Sequence, residues 1–312
     1  MSCTHPYSGF ETGRLTESGK KEIILETQQI DFLSLASAEK RGFSPLPSKV
    51  VFRNGVPGLS DPVPIPCGCC VGCRAQRAKE WTLRCILESR QHPFSYFLTL
   101  TYKNEALPFV GGQPSLRKAD LQKFLKRFRK AFGPVRFFAC GEYGDVTKRP
   151  HYHLILFCDK PLPFVRLGRN VYKSPVINHT WPFGLHEFSV ADSGCMAYVS
   201  GYCVKKLKSD LEGFPVAPFL QMSRRPGIGA FNFSPEEFRD LKVYLENGQT
   251  QFLPKFLRSK LPFYEDLKEE LAKAAKDAQK MLMQMQGFDN PYDFGESQRI
   301  SISQKIKERT LL

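Results

Sequence analysis

His151 and His153 flank Tyr152 and open the apolar run Leu154-Ile155-Leu156-Phe157. On a strand, residues i and i+2 face the same way, so both imidazoles project from one face. Ile155 and Phe157 continue that face; Tyr152, Leu154 and Leu156 occupy the other. Apolar residues on both faces describe a central strand covered on both sides. Histidines buried there without partners would be costly, so they need hydrogen bonds or a ligand. An H-x-H pair alone is more often structural than metal-binding. With a carboxylate added, it becomes a site suited to Mg²⁺ or Mn²⁺ acting on a phosphate. Glu142 is the expected third ligand, because a hairpin would carry it alongside His151; Asp145 and Glu187 are the alternatives.

Tyr198 and Tyr202 are spaced i and i+4, which places them one turn apart on one face of a helix. The bland reading is two aromatics packed on a sheet. Their neighbours suggest more. Gly201 sits where glycine costs about 1 kcal/mol relative to alanine, a cost that makes sense where DNA backbone approaches closely. Lys205 and Lys206 lie one turn beyond, where they can bind a scissile phosphate or offset transition-state charge. A phenol with a free pKa of about 10 is a poor nucleophile at neutral pH, so it benefits from a phosphate polarised by a cation. Attack in line would leave a phosphotyrosine ester that preserves the bond for resealing.

These groups need a scaffold. Residues 1–22 read as mobile, Lys49-Val50-Val51-Phe52 as a strand, and Gly55 to Pro66 as loop. Arg74 to about Gln91 has helical spacing. Phe94–Tyr102, Val135–Tyr143, His151–Cys158 and Leu185–Val190 read as strands, with helices over about Ser115–Phe132 and Cys195–Leu207. The order predicts an α+β layer, helices on an antiparallel sheet. Ser234–Leu245 and Phe263–Gln286 read as helical, and the last stretch has no strong pattern. The expected organisation is an N-terminal segment 1–66, a catalytic core 67–209, a helical, basic C-terminal extension 210–286, and a flexible tail 287–312.

The 312 residues carry 45 Lys plus Arg against 31 Asp plus Glu, a formal charge of +14. That excess favours a polyanionic partner, although a solvated surface explains much of it. Lys123 and Arg127 on the basic helix, Arg149, and the pair Arg224-Arg225 are the expected DNA contacts. With 42% hydrophobic residues the chain is not disordered. No secretory signal and no membrane-spanning run is visible, so a membrane partner is not expected. The ten cysteines then read as reduced thiols or metal ligands. Cys67, Cys70 and Cys73 have C-x-x-C-x-x-C spacing, which with one distant ligand would make a structural Zn²⁺ site. Cys85, Cys3 and His5 are candidate fourth ligands; the alternative is three plain thiols in a loop. No Walker-type phosphate loop occurs, so no fused helicase motor is expected.

Three segments in order carry a resemblance. They are Phe97-Leu98-Thr99-Leu100-Thr101-Tyr102, then Arg149-Pro150-His151-Tyr152-His153-Leu154-Ile155-Leu156-Phe157, then Tyr198-x-x-x-Tyr202-x-x-Lys205-Lys206. They are similar to the three motifs of the HUH endonuclease superfamily. The doubled tyrosine resembles the rolling-circle initiators of small icosahedral single-stranded DNA phages. Pro66-Cys67-x-x-Cys70-x-x-Cys73-Arg74, Gly141-Glu142-Tyr143-Gly144 and Ser223-Arg224-Arg225-Pro226-Gly227-Ile228-Gly229 resemble the gokushovirus branch of the microviruses. Cys69 departs from the simpler cysteine pattern.

The resemblance covers roughly residues 48–265. It implies a sheet of about five antiparallel strands, with the histidines on a central strand and the tyrosine helix alongside. It also implies origin nicking through a 5′-phosphotyrosine, strand transfer by the second tyrosine, and action in the cytoplasm of a bacterial host. Partners would be origin DNA as a single strand, host DNA polymerase and a host helicase. Two other readings remain: a zinc-dependent nucleic-acid-binding protein without catalysis, and a plasmid or transposon relative of the same superfamily.

Overall fold

The computed structural model describes residues 7–17, 21–29, 49–53, 56–60, 63–202, 214–238, 240–246, 248–265, 267 and scattered positions between 273 and 287. Two compact units emerge, one of residues 1–76 with 266–312, the other of residues 77–265.

In the first unit, β1 (Tyr7–Leu15), β2 (Lys21–Gln29) and β5 (Val63–Ile65) form an antiparallel sheet in the order β2-β1-β5. β3 (Lys49–Arg53) and β4 (Val56–Ser60) form a separate hairpin. β1 corrects the expectation that the start of the chain is mobile, and β4 and β5 correct the loop expected over Gly55–Pro66. Pro57 and Pro64 misled because proline removes a ladder donor; each strand pairs on one side only, where that loss is tolerated. Helix α1 (Val71–Ser89) runs from this unit's sequence into that of the second.

The second unit is built on seven antiparallel strands: β6 (Phe94–Thr101), β9 (Arg136–Tyr143), β10 (Pro150–Cys158), β11 (Val165–Gly168), β12 (Val171–Lys173), β13 (His186–Val190) and β14 (Phe219–Met222). A small hairpin, β7 (Phe109–Val110) with β8 (Gln113–Pro114), lies between β6 and helix α2 (Lys118–Phe132). Helices α3 (Pro175–Thr180) and α4 (Ser193–Gly201) flank β13. The sheet order is β11-β12-β13-β6-β10-β9-β14. The run β13 to β14 supplies five adjacent strands, and the β11–β12 hairpin extends one edge by two.

β10 lies between β6 and β9 and is buried along nearly its whole length. The alternation of its side chains defines two cores. On one face Tyr152, Leu154 and Leu156 meet Leu121, Phe124, Leu125 and Phe128 of α2 and Ile177 of α3. Each of these large side chains stabilises the fold by roughly 1.5–3 kcal/mol through burial. On the other face Ile155 and Phe157 meet Cys85 of α1 and Met196 and Val199 of α4. The histidines belong to this second face.

α4 begins two residues earlier than expected. Asp192 caps it, its carboxylate accepting the N–H of Cys195 at 2.7 Å. Ser234–Leu245 is not the expected helix. It is a 3-10 turn at Pro235–Phe238 followed by β15 (Lys242–Tyr244), which pairs with β16 (Thr250–Phe252). Leu241 at φ 57° stops helical propagation, and Gly248 at φ 76° serves the hairpin turn. A short helix α5 (Lys255–Arg258) follows. The described positions between Tyr264 and Met285 are helical, as expected for that stretch. Among the described residues no helix is long and apolar enough to cross a membrane.

Candidate active site

Antiparallel register sets the site. His151 lies opposite Glu142 of β9, and His153 lies opposite Thr99 of β6. Nε2 of His151 is 2.8 Å from Glu142 Oε1, and Nε2 of His153 is 3.0 Å from the same oxygen. Glu142 is buried. Burial pushes its carboxyl up, but hydrogen bonding to His151, His153 and Tyr202 wins and holds it at about 2.

The donor arrangement tests the fit of a cation. Nδ1 of His151 lies 3.1 Å from the carbonyl oxygen of Arg149, which can only accept, so that nitrogen carries a proton. In a neutral ring Nε2 then presents a lone pair toward Glu142, and lone pair against carboxylate is repulsive. Protonation relieves this; so does a cation shared by the two ligands. A histidine that donates one ring N–H to a backbone carbonyl and turns the other nitrogen to a carboxylate is the usual setting of a metal ligand. Adjacent ligands on an octahedral cation with bonds of about 2.1 Å stand about 3 Å apart, close to the separations here. The ligand atoms of Glu142, His151 and His153 all lie within 4.8 Å of one another. The residues fit a divalent cation.

Thr99 and Phe97, which carried no site role in the sequence reading, complete the setting of His153. Thr99 Oγ1 is 3.0 Å from Nδ1, and the Phe97 ring stacks on the imidazole at 5.4 Å. Their i, i+2 spacing on β6 was visible; which ring they would meet was not.

α4 seats on this face through Met196 and Val199 and so carries the tyrosines over the histidines. The ring of Tyr198 stands 5.3 Å from that of His153, and the ring of Tyr202 stacks on it at 5.9 Å. The two phenol rings meet edge to face at 5.1 Å. Tyr198 is 46% exposed. Burial raises the pKa of Tyr198, partly offset by its hydrogen bond with Tyr202. Burial, with hydrogen bonds to Tyr198 and Glu142, raises that of Tyr202.

The other expected residues are distributed differently. Lys205 and Lys206 lie outside the described residues. Arg149 donates to the carbonyl of Tyr102, tying the β9–β10 turn to the end of β6. α2 packs on the opposite face of the sheet from the histidines, so Lys123 and Arg127 are not brought to the triad; Arg127 bonds the carbonyl of Thr180 at 2.8 Å. Arg224 and Arg225 are exposed on the loop after β14, near Arg136, about 20 Å along β9 from Glu142. Asp145 and Glu187 are exposed and stand outside the ligand group. Cys67, Cys70 and Cys73 form a separate cluster, without Cys69 or Cys85.

Residues 95–207, which span β6 through the tyrosine helix, match the family described as replication-associated protein ORF2. Replication-associated protein ORF2 of Spiroplasma virus 4 is 31% identical over 240 residues, covering 68% of this chain and 74% of that protein. Replication-associated protein VP4 of Bdellovibrio phage phiMH2K is 30% identical over 209 residues, covering 61% of this chain and 65% of that protein. Replication-associated protein ORF4 of Chlamydia phage 1 is 31% identical over 220 residues, covering 64% and 53%. The match thus spans just under two thirds of the Bdellovibrio phage protein and about half of the Chlamydia phage one. No solved structure matches. The chain belongs to this family of microvirus-like phage replication-associated proteins.

Proposed function

We propose that this protein starts and ends rolling-circle replication of a small phage genome by nicking and rejoining one DNA strand at the origin. The observation that carries the reading is the stacking of two tyrosines, one helical turn apart, on an imidazole whose Nε2 is aimed at a buried carboxylate. The kinship with phage replication-associated proteins supports the role in replication.

His151, His153 and Glu142 would hold Mg²⁺ or Mn²⁺, which when bound polarises the scissile phosphate and neutralises developing charge. One tyrosine Oη forms a bond to phosphorus as the phosphorus–O3′ bond breaks. The phenol proton passes to solvent, and the strand's 3′-hydroxyl leaves free to prime a host polymerase. After one round the second tyrosine cuts the regenerated origin in the same way. The new 3′-hydroxyl then attacks the first phosphotyrosine, restoring the phosphodiester and releasing the phenol. One phenol is always esterified, so two within one turn are needed. Unwinding falls to a host helicase in the bacterial cytoplasm.

The test is incubation with single-stranded origin-region DNA and Mn²⁺, resolved on a denaturing gel. A covalent band should persist in Tyr198→Phe and in Tyr202→Phe and vanish in the double variant. Tight binding with no covalent band from any origin segment would reject the nicking reading in favour of a binding protein.

A further inference from the structure

The cysteine cluster has no part in strand transfer, yet it is built with care. The sulfurs of Cys67, Cys70 and Cys73 lie within 4.8 Å of one another. Gly68, at φ 74°, lets the chain double back after Cys67. The N–H of Cys70 points at Cys67 Sγ at 3.3 Å, and the N–H of Cys73 at Cys70 Sγ at 3.4 Å. Backbone N–H groups directed at sulfur favour the thiolate, the form that binds metal. α1 starts at Val71, so its N-terminal turn adds positive potential at the same place.

We propose that Cys67, Cys70 and Cys73 bind one zinc ion as three thiolates, a structural centre separate from the His151–His153–Glu142 site. Sulfurs on one tetrahedral zinc with bonds of about 2.3 Å stand about 3.8 Å apart, within the spread found here. An iron–sulfur cluster places its cysteines on different irons and spreads them more widely. Soft sulfur ligands reject Mg²⁺ and Mn²⁺, so the two centres sort their metals by donor chemistry. Cys69 is exposed and outside the set, although it shares the segment. Among the described residues no fourth side chain joins the three. Water, or a donor such as Cys3 or His5 outside the described residues, completes the tetrahedron. The ion closes the turn before α1 onto its first helical turn.

The experiment is metal analysis of the full chain purified without chelator, with Co²⁺ substitution read by absorption. About one zinc per chain is expected, and cobalt should give an intense thiolate charge-transfer band with a tetrahedral ligand-field pattern. Cys69→Ser and the pair His151→Ala/His153→Ala should keep the zinc; Cys70→Ser and Cys73→Ser should lose most of it. Where a cysteine variant does not fold, titration of the unaltered protein with a mercurial decides instead, because zinc should leave in step with thiol modification. Absence of zinc, an octahedral cobalt spectrum, iron with labile sulfide, or zinc retained by Cys70→Ser/Cys73→Ser would each overturn the proposal. The outcome is independent of whether the protein nicks DNA.

Discussion

The hydroxyl of Thr99 lies 3.0 Å from Nδ1 of His153, directly across the β6–β10 pair. That bond fixes the rotation of the ring and turns Nε2 toward Glu142. Thr99→Val keeps the branched shape and the strand preference but removes the polar partner. Mn²⁺ affinity, measured by calorimetry, is expected to fall about tenfold while the melting temperature holds. Unchanged affinity would mean that Phe97 and β10 alone orient the imidazole.

Much of this site was legible in the sequence. Alternation fixed the face of His151 and His153, and a short turn after Tyr143 placed Glu142 opposite His151. Five sheet strands followed from β-rich runs. The β11–β12 hairpin did not, because β11 is exposed along its length and has no buried alternation to betray it. Arg127 looked like a DNA contact because an amphipathic helix declares a buried stripe but not which sheet face receives it. The exclusion of Cys69 was equally hidden, since spacing alone cannot say which sulfurs the start of α1 gathers.

Gly229 takes φ 79° where the Ser223–Gly229 loop crosses α1, and a Cβ there would come within 3.0 Å of the Arg84 carbonyl oxygen. Arg84 in turn donates to the carbonyl of Ile228 at 2.8 Å and lies over the rings of Trp81 and Phe256. Gly229→Ala meets both a left-handed backbone and a wall of main chain. It should cost about 1–3 kcal/mol, read in denaturant unfolding. A variant as stable as the parent would show that the loop can shift away from α1 freely.

Glu88 is fully buried. It pairs with Arg136 and accepts the N–H of Gly229 at 2.6 Å. His92 Nε2 stands 3.6 Å from it, a charge contact rather than a hydrogen bond, and His92 Nδ1 bonds Asp159 at 2.7 Å. Burial pushes Glu88 up, but His92, Arg136 and Gly229 hold it below its ordinary value. Burial pushes His92 down, but Glu88 and Asp159 raise it. The lowered Glu88 stabilises above its unfolded pKa of about 4.3 and loses that contribution as pH falls. The raised His92 stabilises below about 6.5 and loses that contribution as pH rises through its folded value. Thermal melts across pH should therefore favour the cluster between about pH 5 and 6.5. His92→Gln should flatten the alkaline decline and leave the acid arm; an unaltered alkaline arm would remove His92 from the account.

Gly201 closes α4 beside Tyr202, and a Cβ added there would meet nothing within 4 Å. No packing within the protein explains a glycine that costs up to about 1 kcal/mol relative to alanine in a helix. The open space lies next to both phenols, where a DNA strand must pass if either is to reach phosphorus. On that hypothesis Gly201→Ala leaves the melting temperature unchanged or higher. The rate of covalent adduct formation drops roughly tenfold, about 1.4 kcal/mol of barrier. Gly201→Leu, still free of internal clash at its Cβ, should drop it further. Equal adduct rates in all three proteins would show that the strand enters elsewhere. A loss of rate accompanied by a lower melting temperature would show that the helix end, not the DNA path, had been disturbed.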